Sequence, residues 1–130
     1  MTLDGVDILV VEDDNDTREL LRVVLETRGG NIRTASSVHE ALIAYDQARP
    51  DVLIADIGMP EYNGYTLIGR VRAREREHGE RSIPAIALTA YATDIDRDTV
   101  LTAGFQVHVP KPFDPDRLVS LIAGLASQNR

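Results

Sequence analysis

The sequence predicts an α/β fold, a doubly wound parallel sheet of five strands, and three observations predict it. A short apolar run followed by a longer amphipathic stretch recurs five times along the 130 residues. Three of the runs are continuously apolar, as central parallel strands covered on both faces must be. Parallel strands also need right-handed helical crossovers, which the intervening stretches supply.

Each element has its own local reason. Ile8 to Val11 is the first strand. The helix after it places Leu20, Leu21, Val24 and Arg28 on one face, and Gly29-Gly30 stops it. Asn31 to Ala35 is the second strand, and Ser37 with Glu40 then forms a capping-box pattern ahead of Ala41, Leu42 and Tyr45. Val52 to Ala55 precedes a helix carrying Leu67, Ile68 and Val71 before a charged end. Ala85 to Leu88 precedes a weakly amphipathic helix from about Asp94 to Ala103. Val107 to Val109 leads to a last helix, capped by Asp114 with Pro115 in its first turn, that buries Leu118, Ile122 and Leu125. No repeat or linker interrupts this order, so residues 1–130 read as one domain with a core of about 6–126.

Composition narrows the function. Hydrophobic residues at 43% and charged residues at 27% suit a soluble globular protein. No run approaches the roughly 20 apolar residues that span a bilayer, and no signal pattern opens the chain, so the reading is cytoplasmic without membrane insertion. The absence of cysteine excludes disulfides and thiolate metal sites. A net charge of −7 disfavours direct DNA binding. The one basic cluster, Arg70, Arg72, Arg74 and Arg76 interleaved with Glu75 and Glu77, reads as a solvated helix face.

Open sheets of this kind bind ligands beyond the carboxyl ends of their strands. Those ends carry Glu12-Asp13-Asp14, Asp56, Thr89-Ala90 and Lys111-Pro112. Several carboxylates brought together would repel, and a hard divalent cation such as Mg2+ resolves the conflict. Lys111 adds a point charge and Thr89 a hydroxyl. Such a cluster suits phosphoryl transfer with a carboxylate nucleophile, and Asp56, alone at the tip of a buried strand, is the best candidate. Glu12 and Asp13 are better placed as metal binders. Taken singly, each residue has a plainer reading. Asp14 and Asn15 can simply cap a helix, Asp56 can serve a turn, Thr89 can be a strand-end hydroxyl, and Lys111 can be solvated.

The motifs ILVVEDD (Ile8 to Asp14), PDVLIADIGMP (Pro50 to Pro60) with Asn63-Gly64-Tyr65, IALTAYA (Ile86 to Ala92) and VPKPF (Val109 to Phe113) resemble the receiver domains of two-component response regulators. The wording looks most like single-domain or hybrid-kinase-type receivers. The resemblance implies a flavodoxin-like sheet of order 2-1-3-4-5 and an Asp56 that accepts a phosphoryl group as an acyl phosphate. It implies that Asp13 holds Mg2+ directly, Glu12 mainly through water, and Gly58 through its backbone carbonyl. Thr89 and the Ala90 backbone would bind phosphoryl oxygens, Lys111 would pair with them, and the Lys111-Pro112 bond would be cis.

The implied partners are a sensor histidine kinase or histidine phosphotransfer protein and a downstream protein target. In the family, the hydroxyl at Thr89 and an aromatic residue on the fifth strand switch together, altering the face of the fourth helix, fifth strand and fifth helix. Here His108 stands at the aromatic position. It either fills that role or is an ordinary strand histidine. Gly58 has no side chain to orient an attacking water and Tyr91 is bulky, which predicts a long-lived acyl phosphate. Leu121, Gln106 and His108 do not match the charge pairs of receivers that dimerise above a DNA-binding domain.

Other classes fit less well. A dehalogenase-type phosphatase wants an acid two residues after its nucleophile, where Gly58 stands. A flavin carrier wants a hydroxyl- and glycine-rich loop where Glu12-Asp13-Asp14 would repel phosphate. A receiver-like module that binds partners without phosphorylation remains the alternative.

Overall fold

A computed structural model describes residues 2–57, 64–89 and 94–128, with the backbone alone at 94–97 and 128. Its elements run β1 (Asp7–Val11), α1 (Asn15–Thr27), β2 (Asn31–Ala35), α2 (Val38–Gln47), β3 (Val52–Asp56), α3 (Gly64–His78), β4 (Ala85–Thr89), α4 (Asp94–Ala103), β5 (Val107–Pro110) and α5 (Pro115–Gln128). The strands form one parallel sheet in the order β2-β1-β3-β4-β5. This is the doubly wound, flavodoxin-like order that the sequence motifs imply. No helix among the described residues is long and apolar enough to cross a membrane.

Alternation along the central strands divides the core in two. Leu9, Val11, Leu53, Ala55, Ala85 and Ala87 face α2, α3 and α4, where Leu42, Leu67, Ile68, Val71 and Val100 cover them. Ile8, Val10, Val52, Ile54, Ile86 and Leu88 face α1 and α5, meeting Leu21, Leu25, Leu118 and Ile122. Every residue of β3 and β4 is buried. Truncating a wholly buried side chain such as Ile54 to alanine costs about 2–5 kcal/mol.

At Gly29 and Gly64 the geometry requires glycine. Gly29 has φ +95°, and it and Gly30 donate to Glu26 O and Leu25 O at 2.9 and 3.1 Å, closing α1 in a Schellman motif. Gly64 begins α3 so close to β3 that a Cβ there would lie 2.9 Å from Ile57 Cα.

The structure corrects several local expectations. Leu20 does not join the core face of α1. It is 52% exposed, and the buried pair is Leu21 and Leu25. Ser37 caps α2 by accepting from the Glu40 amide, but the Glu40 carboxylate reaches back to the Ser36 amide at 2.9 Å rather than to Ser37. Leu125 is only partly buried. The basic cluster of α3 is not one solvated face either. Arg74 pairs with Asp46 of α2, and the Arg72 side chain is 12% exposed against a buried Glu75.

Candidate functional site

Four strands deliver their tips to one end of the sheet. Glu12 follows β1, where its amide donates to Ala35 O at 3.0 Å, and its side chain is fully buried. Asp13 comes next and is exposed. Asp14 turns the chain into α1, accepting from the Thr17 amide at 2.9 Å and the Thr17 hydroxyl at 2.6 Å. Of the two roles open to Asp14, it takes the helix cap. Asp56 ends β3 at 8% exposure, opposite Leu88 of β4. Thr89 lies one residue beyond Leu88 and is buried, and its carbonyl accepts from the Lys111 amide at 2.7 Å. The Lys111-Pro112 peptide is cis, as expected.

Lys111 joins the acids. Its Nζ lies 2.8 Å from Glu12 Oε1 and 3.0 Å from Asp56 Oδ2, although the two acids are 44 residues apart in sequence. Carboxylate oxygens of Glu12, Asp13 and Asp56 all lie within 4.8 Å of one another. Lys111 thus bridges two of three clustered acids, and Glu12 records the crowding. Burial, then its contact with Asp56, pushes the Glu12 carboxyl up to about 7 against the pull of Lys111. The other oxygen, Glu12 Oε2, is buried with no hydrogen-bond partner among the described residues. Burial works against the charge on Lys111, yet its hydrogen bonds to Glu12 and Asp56 outweigh that and hold its pKa above the ordinary lysine value.

Glu12, Asp13, Asp56 and Lys111 therefore converge, with Thr89 on the adjacent strand tip. Gly58, Ala90 and Tyr91 lie outside the described residues. His108 sits on β5 beside Ala87, half-buried, in the wall of a groove of about 660 Å³ between β5 and α5. Sequence reasoning missed Arg18, whose guanidinium donates to Glu12 O at 2.9 Å and to Asn15 Oδ1. Its i,i+3 spacing from Asn15 was the available clue.

Comparison with known proteins identifies the family and the fold. Residues 8–123 match the family model of the response regulator receiver domain. A 14.6 kDa protein in the sodA1 3′ region of Leptolyngbya boryana is 48% identical over 121 residues, covering 93% of this chain and 90% of that protein. The transcriptional regulatory protein TrcR of Mycobacterium tuberculosis is 32% identical over 91% of this chain, which spans 44% of that longer protein. Among solved structures, the Francisella response regulator 1452 receiver domain superposes with a TM-score of 0.88 at 24% identity, covering 97% of this chain and 100% of that one.

Proposed function

The chain belongs to the response-regulator receiver family, and from that premise we propose that it is the phosphoacceptor of a two-component phosphorelay. Asp56 takes a phosphoryl group from a phosphohistidine on a sensor kinase or a histidine phosphotransfer protein. The observation that carries this reading is the Lys111 bridge between Glu12 and Asp56, with Asp13 beside it.

In the transfer, an Asp56 carboxylate oxygen forms a bond to phosphorus as the phosphorus–nitrogen bond of the donor breaks. The imidazole leaves with that electron pair and picks up a proton. Lys111, held in its charged form, offsets negative charge on the transferring oxygens. Thr89 supplies a hydroxyl at the neighbouring tip. The residues fit Mg2+, because hard carboxylate oxygens of Glu12, Asp13 and Asp56 cluster, and Glu12 keeps a buried oxygen with no partner among the described residues. Glu12, Asp13 and Asp56 would hold the ion, with the Gly58 carbonyl as a further ligand. When bound, it supplies positive charge that lets the acids stay ionised together.

Phosphorylation then adds negative charge beside Thr89. The response we propose is a population shift of Thr89 and His108 that remodels the α4-β5-α5 face for a downstream protein or for onward relay. The Leptolyngbya relative, matched over 90% of its length, supports reading residues 1–130 as a single receiver. A cytoplasmic location without membrane insertion or direct DNA binding goes with that reading. The protein catalyses only its own phosphoryl transfer and dephosphorylation.

The test is intact mass after incubation with acetyl phosphate and Mg2+. One phosphoryl adduct is expected, absent without metal and absent in Asp56→Asn. No adduct, together with no binding of beryllofluoride, would make the protein a phosphorylation-independent interaction module. With Gly58 lacking a side chain to orient water, the adduct should also outlive those of chemotaxis-type receivers measured alongside it.

A further inference from the structure

Resting on the reading of Glu12 and Asp13 as cation-binding residues, we propose that Arg18 is a positioning residue for that cation. It locks the β1–α1 turn so that Asp13 is presented beside Glu12 and Asp56. Nothing on the Asp13 side chain does this. Its carboxylate is exposed and makes no hydrogen bond among the described residues, yet it lies within 4.8 Å of the other two. Its direction must therefore come from the backbone on either side.

Arg18 holds both sides. Before Asp13, its Nη1 donates to Glu12 O at 2.9 Å, and after Asp13 its Nη2 donates to Asn15 Oδ1. Its own amide donates to Asp14 O at 2.9 Å as part of α1. The half-buried guanidinium is thus a brace across the turn, fixed by a fork of parallel donors that lysine cannot reproduce.

Charge and geometry give opposite predictions, which makes the role testable. Arg18 is a cation near a cation site, so by charge alone its removal should strengthen metal binding. As a brace, its removal should weaken binding, because ordering Asp13 would then have to occur on binding.

The experiment titrates Mg2+ alone into wild type, Arg18→Leu and Arg18→Lys, following the amide resonances of Glu12 and Asp13. Urea unfolding without metal runs in parallel. We expect Arg18→Leu to bind Mg2+ roughly tenfold more weakly, although it removes a repelling charge. Arg18→Lys should also be weaker, and the metal-free urea midpoints should stay close to wild type. Unchanged or tighter binding by Arg18→Leu overturns the proposal while leaving the site intact. If Arg18→Leu does not fold, Arg18→Lys decides, and wild-type affinity in that variant overturns it. Wild type that fails to bind Mg2+ refutes the cation site itself, and the positioning role with it.

Discussion

Two glutamates lie buried at opposite ends of this sheet, and their surroundings differ in kind. Glu75 of α3 faces the start of β4. Its carboxylate accepts from Arg72 at 2.9 and 3.0 Å, from Arg49 at 3.2 Å and from the Ile83 amide at 2.7 Å. Arg72 goes on to Gly104 O, Ile83 O and Gln106 Oε1, and Gln106 accepts from the Ala85 amide at 2.6 Å. The network ties α3 to β4 and to the turn between α4 and β5. Glu12 has one cation shared with a second acid, and one oxygen with no partner among the described residues. A buried carboxylate whose acceptors are filled belongs to the architecture. One left short beside two more acids marks the end of the sheet where we propose the phosphoryl transfer.

The largest effect should come from breaking the completed network. Glu75→Ala strands Arg72 and the Ile83 amide, and should cost about 3–5 kcal/mol by urea unfolding. Glu12→Gln in the metal-free protein should cost under about 1 kcal/mol or stabilise, since it removes an unfavourably buried charge. Equal losses at the two positions would erase the distinction.

Cation binding sharpens it next. Mg2+ at a hundred times its Kd should raise wild-type stability by about 2.7 kcal/mol, with no comparable gain in Asp13→Asn. Glu75 should play no part in that response.

The pH dependence follows from the raised Glu12 carboxyl. Between about 4.5 and about 7, the unfolded chain has released a proton that the folded chain keeps. This group's contribution to metal-free stability therefore falls as pH rises through that window and levels off above it. Glu12→Gln should remove that slope. Proton and cation compete for one carboxylate, so Mg2+ affinity should rise with pH over the same range.

The smallest effect belongs to Asp14, which serves the helix rather than the acid cluster. Asp14→Ala should lower the urea midpoint only slightly through the lost cap and leave Mg2+ affinity near wild type. A much larger change in Mg2+ affinity than in stability would move Asp14 into the site.

Much of this was legible in the sequence, for a physical reason. Glu12, Asp56, Thr89 and Lys111 each end or closely follow an apolar run, so finding the strands also places the residues at their tips. The misreadings occur where one-dimensional patterns are degenerate. Leu20 and Leu21 are adjacent apolar residues about 100° apart on a helix. Only packing against the sheet selects Leu21 for the core. Arg72 looked solvated because its neighbours alternate in charge. Its partners Gly104 and Gln106 arrive 32 and 34 residues later, and no local window contains them. Glu40 turned to Ser36 instead of Ser37, a one-residue difference that composition does not encode.

The most direct measurement is to phosphorylate the Mg2+-loaded protein with acetyl phosphate, reduce the acyl phosphate with borohydride, and map the product by peptide mass spectrometry. The account predicts conversion of Asp56 alone to homoserine, with none in metal-free protein. Conversion at Asp13 or Asp14 instead, or at Asp56 without the metal, would contradict it.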